Sequence, residues 1–341
     1  MASEAATPGS PPARTEIIGI VGAGRMGRGI ATSFALAGHK VRLLDLRERE
    51  EADFARLSRQ ARDDIARDVD FLREAGLVDA ATAASVLADV TIARAAQAPA
   101  LLADCDLIFE AVPETLPAKA DAFAAIGAHA RAQALIASTT STIDAETLAA
   151  MVPDPGRFMN AHWLNPAHLV PLVEVSPASS SDAALVEKLC AMLRSIGKVP
   201  VVCRSSPGYI VPRIQALAMN EAARLVEEGV ASAQDVDTAI RVGFGFRFAV
   251  LGLLEFIDWG GGDILFHASQ YLSGTLDPRR FAAPDVVARN MASGRNGMRE
   301  GKGFYDYAGV DLGAYRARRL SEFLALLRHR DMMPVIRGPQ E

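Results

Sequence analysis

Gly22-Ala23-Gly24-Arg25-Met26-Gly27 reads G-x-G-x-x-G, directly after the apolar run Ile17–Val21. A strand that feeds a glycine turn and then a helix constrains the fold more than any other feature of the chain. Residues 27–37 have the composition of that helix, Gly38 closes it, and 40–44 is a second strand ending at Asp45, 18 residues after Gly27. Two strands joined by one helix in so short a span pair in parallel. Gly22 permits the tight turn, Gly24 lets the backbone approach a pyrophosphate, and Gly27 lets helix and strand pack closely. The helix N-terminus offers unpaired N–H groups to phosphates. Asp45 is placed to accept from a ribose 2′-hydroxyl and to repel a 2′-phosphate, so NAD is expected over NADP; Arg47 is the counter-signal.

The 341 residues suffice for two domains at roughly 150 each. Lys and Arg number 36 against 41 Asp and Glu, a net charge of −5, which argues against nucleic-acid or membrane-surface partners. No apolar run approaches the ~20 residues that span a bilayer; the stretch 250–254 is interrupted at Gly252 and followed by Glu255. Cys105, Cys190 and Cys203 are odd in number and far apart, so a reducing, cytoplasmic setting is expected rather than a disulfide scaffold. Residues 1–14 are small, polar and proline-rich and read as a disordered leader without a secretory core. No His, Cys or Asp cluster has metal-ligand spacing, so no metal is expected.

Along the chain, Phe54, Leu57, Ala61, Ile65, Val69 and Leu72 recur at helical spacing and predict a long amphipathic helix over 47–74. The runs 106–111 and 134–138 predict buried strands separated by a helix over 117–130. Further strands are expected at 157–161, 172–175 and 199–203, with a helix over 184–195. This alternation predicts an α/β domain over 15–204, a Rossmann-type doubly wound parallel sheet. After Ser205-Ser206-Pro207-Gly208 the pattern turns helical, at 214–228, 233–242 and 312–328. An all-helical domain over 205–330 and a tail over 331–341 are expected. Its apolar stretch 250–257 carries few charges and predicts an interface, hence a homodimer.

Four further motifs accompany the glycine turn. They are Ala137-Ser138-Thr139-Thr140-Ser141; Ala161-His162-Trp163-Leu164-Asn165-Pro166 with Pro171-Leu172-Val173-Glu174-Val175; Ser206-Pro207-Gly208-Tyr209-Ile210; and Gly301-Lys302-Gly303-Phe304-Tyr305. In this order the five resemble the L-3-hydroxyacyl-CoA dehydrogenase family over about 16–307. The family includes 3-hydroxybutyryl-CoA dehydrogenases and, more distantly, λ-crystallin/gulonate and carnitine dehydrogenases. The resemblance implies NAD-linked oxidation of a 3-hydroxyl, with a small-molecule substrate that is an acyl-CoA in most members, and a dimerising helical domain. It implies His162 as catalytic acid/base, Glu174 as its orienting partner, and Ser141 at the substrate oxygen and nicotinamide. Glu114 and Lys119 match residues near the cofactor, and Arg299 matches a basic residue reaching toward it. Asn165 and position 212 belong to the expected substrate region.

The chemistry agrees with these roles. Oxidising a secondary alcohol removes the hydroxyl proton as hydride leaves, and an imidazole holds that proton near neutral pH. A carboxylate on its far nitrogen fixes the tautomer and stabilises the imidazolium. Two departures loosen the substrate assignment. Where the family usually reads P-G-F-x-x-N-R, this chain has Pro207-Gly208-Tyr209-Ile210-Val211-Pro212-Arg213, with Pro212 in place of the active-site Asn. A helix begun at Ser206-Pro207 would meet Pro212 in its second turn, depriving the Gly208 carbonyl of its partner. The expected outcome is a tolerated kink at 211–212 with a water in the gap, or a helix starting at Pro212 whose first N–H groups substitute for the missing amide. Slower turnover of ordinary 3-hydroxyacyl-CoA, or a shifted substrate, follows. Second, the family often binds coenzyme A through Lys on the helix after Asp45, whereas 47–74 has seven Arg, nine Asp or Glu and no Lys. A free 3-hydroxy acid is therefore the alternative substrate, favoured also by the λ-crystallin-like Gly245-Phe246-Arg247-Phe248-Ala249. A non-catalytic dinucleotide-binding protein is the third reading.

Overall fold

The computed structural model describes residues 15–335; the leader expected over 1–14 and the end of the tail, 336–341, lie outside the described residues. An eight-stranded sheet is built from β1 (Ile17–Val21), β2 (Lys40–Asp45), β3 (Val90–Arg94), β4 (Leu107–Glu110), β5 (Leu135–Ser138), β6 (Phe158–Trp163), β7 (Leu172–Pro177) and β8 (Val199–Val202). Between the strands run α1 (Arg25–Leu36), α2 (Glu51–Glu74), α3 (Ala80–Asp89), α4 (Ala98–Ala103), α5 (Leu116–His129), α6 (Ala145–Ala149) and α7 (Ala183–Ser195). The strand order β3-β2-β1-β4-β5-β6-β7-β8 is that of a Rossmann-type, doubly wound sheet. It reverses between β1 and β4, and such sheets bind ligands in the crevice beyond the carboxyl ends at that point.

The strands are apolar on both faces because helices cover both. Ile18, Ile20, Leu43, Leu107, Phe109, Leu135 and Ala137 form one buried cluster with Ile30 and Phe34 of α1. Val21, Leu44, Ile108 and Ile136 join Phe123 and Ile126 of α5 in another. Each large apolar side chain contributes about 1.5–3 kcal/mol when fully buried, so unbroken apolar runs settle in the sheet's centre. Trp163 closes the first cluster, 5.8 Å edge-on from Phe109 and 6.1 Å from Phe34.

Two features depart from the expected pattern. β7 runs antiparallel to β6, and the connection 164–171 contains no helix, so the β/α alternation breaks at that step. The edge strand β3 was not expected from the sequence. Its Val90-Thr91-Ile92 core lies among alanine-rich helices, and its pairing with β2 supplies what its own pattern does not. The long helix begins at Glu51 rather than 47, and Ala61, Ile65, Val69 and Leu72 of the expected stripe are buried.

The chain divides into two compact units between Ala218 and Met219, within α8 (Val211–Glu227). The second unit continues through α9 (Ala233–Ala239), a π-helical turn Ile240–Phe244, α10 (Gly245–Phe248), α11 (Leu253–Gly260), α12 (Gly262–Thr275), α13 (Pro278–Phe281), α14 (Asp285–Ala292) and α15 (Leu312–His329). Asp258 ties its end together, accepting from the N–H groups of Phe304 and Tyr305 at 2.9 Å and from the Tyr307 hydroxyl at 3.1 Å. The unit buries few apolar side chains, Val236, Leu251, Val287, Met298 and Tyr307, while Val226, Ile240, Val242, Phe244, Leu254 and Leu320 stay exposed. Among the described residues no helix is long and apolar enough to cross a membrane, and no group of His, Cys, Asp and Glu could hold a metal ion.

Candidate active site

The glycine turn lies where β1 meets α1, and its glycines are there for space. A Cβ on Gly22, which has φ +121°, would lie 2.3 Å from the Ala111 carbonyl oxygen, and one on Gly27 would lie 1.9 Å from that of Gly22. Above Gly24, by contrast, nothing lies within 4 Å. Gly24 caps α1 without a side-chain bond, so the first-turn N–H groups remain free to face an anion. A cleft of about 740 Å³ opens over this turn, lined by Gly22, Ala23, Gly24, Arg25 and Met26. Asp45 at the end of β2, Arg47 and Ala111–Pro113 after β4 continue its wall. Asp45 also forms an ion pair with Arg49, through one carboxylate oxygen. The cradle closed to any Cβ, the open space above Gly24 and the carboxylate at the strand end fit a dinucleotide. Sequence reading missed the far wall, Ala118, Ala122 and Ala125 on one face of α5; the signal was small residues at helical spacing.

The catalytic candidates lie on the sheet itself. Side chains alternate along a strand, and Met159, Ala161 and Trp163 of β6 enter one core cluster. Asn160 and His162 therefore share the opposite face. On β7 the same rule places Val173 and Val175 in that cluster and turns Glu174 away. His162 and Glu174 are direct partners in the antiparallel ladder. Their side chains meet with His162 Nδ1 2.8 Å from Glu174 Oε2, both buried. The other carboxylate oxygen, Oε1, accepts from the N–H groups of Ile210 at 3.0 Å and Val211 at 2.8 Å. Burial pushes the Glu174 carboxyl up, but the bonds from His162, Val211 and Ile210 outweigh it and hold it below the usual range. A carboxylate on Nδ1 makes that nitrogen the donor, leaving Nε2 as the basic one.

The Tyr209 ring stacks on His162, centroids 5.4 Å apart and planes at 15°. Its hydroxyl accepts from Asn160 Nδ2 at 2.8 Å and donates to the Thr140 carbonyl at 3.2 Å. Burial pushes the phenol well above its usual pKa, so the hydroxyl keeps its proton.

A buried polar row crosses the same face. Glu110, Ser138 and Asn160 are register partners on β4, β5 and β6. The Ser138 hydroxyl donates to Glu110 at 2.5 Å. Lys119 of α5, fully buried, places Nζ 2.9 Å from Glu110 Oε2 and 3.3 Å from Glu114 Oε2. Neither Glu110 nor Ser138 was singled out from the sequence. Lys119 thus lies behind the cleft wall, while Ala118 and Asp121 beside it line the cleft. Glu114 holds the loop after β5, accepting from the Thr140 hydroxyl at 2.5 Å and the Ser141 and Thr142 N–H groups at 2.8 and 3.1 Å. Burial raises the Glu114 carboxyl, and these bonds together with Lys119 bring it below its usual value. Ser141 is exposed, with no side-chain hydrogen bond among the described residues.

The remaining expected residues are placed as follows. Asn165 is exposed in the 164–171 connection, which is anchored on either side: Lys198 Nζ donates to the carbonyls of Ala167 at 2.6 Å and Val170 at 3.0 Å. Arg299, in the second unit, is ion-paired with Glu300 at 2.6 Å. Of the two outcomes expected around Pro212, the kinked helix from Ser206-Pro207 is overturned and a helix starting beside Pro212 is found. No helix starts at Ser206-Pro207, because Gly208 and Tyr209 adopt φ of 73° and 45°, outside the right-handed helical region. α8 begins at Val211, so Pro212 falls in its first turn, where a missing N–H is tolerated. The Gly208 carbonyl is not orphaned, since Arg213 N–H donates to it at 3.0 Å. The N–H groups of Ile210 and Val211 go to Glu174, so they are not free to replace a substrate-binding amide.

Residues 17–206 match the NAD binding domain of 3-hydroxyacyl-CoA dehydrogenase, and residues 208–307 match the C-terminal domain of the same family. The chain is 34% identical to a 5-formyl-3-hydroxy-2-methylpyridine 4-carboxylate 5-dehydrogenase of Mesorhizobium japonicum over 224 residues, 65% of this chain and 72% of the relative. It is 32% identical to a 3-hydroxybutyryl-CoA dehydrogenase of Bradyrhizobium diazoefficiens over 296 residues, 86% of this chain and 96% of the relative. The crystal structure of a 3-hydroxyacyl-CoA dehydrogenase from Archaeoglobus fulgidus is similar with a TM-score of 0.71 and 29% identity, covering 93% of this chain and 100% of that one. Matched through both domains and built around a dinucleotide cleft, the chain belongs to the 3-hydroxyacyl-CoA dehydrogenase family of NAD-dependent oxidoreductases.

Proposed function

We propose that this dehydrogenase oxidises the 3-hydroxyl of short 3-hydroxyacyl-CoA esters, 3-hydroxybutyryl-CoA among them, reversibly and with NAD. The observation that carries the reading is the His162–Glu174 pair, side by side across a ladder, at 2.8 Å. When bound, NAD⁺ supplies the acceptor for the hydride that leaves carbon 3. The chain's own residues handle the proton. His162 Nε2 takes it from the hydroxyl as the carbonyl forms, and Glu174 stabilises the resulting imidazolium through Nδ1–H. The Ser141 hydroxyl, which makes no side-chain hydrogen bond among the described residues, donates to the substrate oxygen. In the reverse direction the imidazolium returns the proton. The glycine turn and the α1 N-terminus hold the pyrophosphate, and Asp45 the ribose.

A second reading, a free hydroxy acid or a carboxylated ring as substrate, draws support from α2. Several of its arginines are already ion-paired within the protein: Arg56 with Asp53, Arg67 with Asp64 and Arg73 with Asp70. With seven Asp or Glu against five Arg the helix is net negative, which does not favour coenzyme A phosphates, although Arg59 and Arg62 form no ion pair among the described residues. A relative named for a pyridine carboxylate is consistent with it. NADH formation with 3-hydroxybutyryl-CoA, free 3-hydroxybutyrate, gulonate and carnitine decides the matter. The ester is expected to give the largest kcat/KM. A free acid at least tenfold better would transfer the assignment to the second reading, and NADH binding without turnover of any substrate would point to the non-catalytic one.

The assembly proposed with this reading is a homodimer through the helical unit. Among the described residues that unit buries few apolar side chains while Val226, Ile240, Val242, Phe244, Leu254 and Leu320 are exposed, and exposed apolar surface of this kind marks an interface. Light scattering at micromolar concentration is expected to give twice 36.3 kDa; the single-chain mass would remove the dimer.

A further inference from the structure

We propose that Tyr209 is a positioning residue whose hydroxyl couples the orientation of His162 to that of the loop presenting Ser141. The inference rests on the assignment of His162 and Ser141 to the reaction. Tyr209 lies against His162 with ring planes only 15° apart, so the phenol ring sets the plane of the imidazole. The hydroxyl at the far end of the same ring reaches two other elements. It accepts from Asn160, two residues before His162 on the same face of β6, and donates to the carbonyl of Thr140, the residue before Ser141. Asn160 Nδ2 also donates to the Ile143 carbonyl at 3.0 Å, on the other side of Ser141. The loop is thus tied from both sides to the strand that carries the acid/base.

The backbone explains why one residue can do this. The positive φ at Tyr209 turns its side chain toward His162 while the next two N–H groups reach Glu174. A short segment therefore grips both members of the pair and, through one oxygen, the serine loop. A phenylalanine at this position would keep the stack and lose the hydroxyl's bonds to Asn160 and Thr140, leaving only the Asn160–Ile143 bond of this network. The hydroxyl is the part of the device that sequence resemblance does not supply, because the family usually has Phe there.

The test is a double-mutant cycle of Tyr209→Phe and Ser141→Ala, with kcat and KM measured on the best substrate and NADH affinity from fluorescence. Tyr209→Phe is expected to lower kcat roughly tenfold, since a loosened reacting group is costly, and to leave NADH affinity within about twofold. In the Ser141→Ala background the same change is expected to have less than about a twofold effect, because its target is already gone. A Tyr209→Phe enzyme at the wild-type rate overturns the inference. So does an additive cycle, which makes the hydroxyl merely structural. A Ser141→Ala enzyme at the wild-type rate overturns the serine's role and the inference with it, whereas an impaired Ser141→Ala with an unaffected Tyr209→Phe overturns the inference alone.

Discussion

Replacing His162 by alanine is expected to lower kcat by about 10²–10⁴ while NADH binding stays nearly unchanged. The separation of the two effects follows from the fold. His162 lies on β6, and the dinucleotide cleft is lined from the glycine turn, β2, the β4 end and α5. Alanine removes the proposed proton acceptor without altering that wall, and Trp163 keeps the strand end packed against Phe109. Glu174→Gln should also lose activity. The amide would face Nδ1 with an N–H or a neutral oxygen, the tautomer would no longer be fixed, and the imidazolium would lose its counter-charge. Steady-state turnover and NADH fluorescence on the same preparations check both. A His162→Ala enzyme within threefold of wild type, on the order of experimental scatter for a non-essential group, removes the histidine from the chemistry.

Lys119→Met is expected to destabilise the protein by about 3–5 kcal/mol, the largest stability effect foreseen here. Lys119 and Glu110 are both fully buried, and the ammonium bridges the two oxygens of Glu110 at 3.1 and 2.9 Å. Methionine matches much of the lysine stem but, among the described residues, leaves the Glu110 carboxylate with the Val112 N–H and the Ser138 hydroxyl as partners. An uncompensated buried charge is far more costly than the pair was favourable. Adding Glu110→Gln to Lys119→Met should therefore restore at least half of the loss, a coupling that independent sites would not show. Urea unfolding of the three variants measures it. A Lys119→Met protein within about 1 kcal/mol of wild type would mean that the cavity relaxes or hydrates, and the buried pair would lose its structural role.

What the sequence made legible follows from where local pattern and tertiary structure agree. Gly22 to Gly27, Asp45 and the strands β1, β2, β4 and β5 could be read because each is a short-range signal: an apolar run, a turn, a helix start. The His162–Glu174 pair came from motif resemblance, and the structure brings the two together. The burial of Lys119 against Glu110 was not legible, since one lysine in an alanine-rich helix carries no trace of the carboxylate on the neighbouring strand. The reversed direction of β7 was invisible for a similar reason, as an apolar strand reads alike both ways. A helix start beside Pro212 was among the expected outcomes, but the left-handed turn at Tyr209 before it was not legible, because Ser206-Pro207 itself reads as a helix start. Positive φ at a tyrosine is set by what its ring and the next two N–H groups gain, and those partners lie more than thirty residues upstream.

The reversal of β7 has a consequence for how such a chain diversifies. In a parallel sheet, an acid/base residue and its carboxylate on adjacent strands depend on a long crossover to keep their levels matched. Here the backbone ladder pairs residue 162 with residue 174 directly, and the Trp163–Val173 rung beside it fixes the step. The two groups proposed to handle the proton form a cassette whose geometry is set by hydrogen bonds of the main chain. The exposed Asn165-Pro166 corner of the connecting loop can accept new side chains without detuning that cassette. On the proposed assignment, substrate preference can change through exposed loops while the His162–Glu174 register stays fixed.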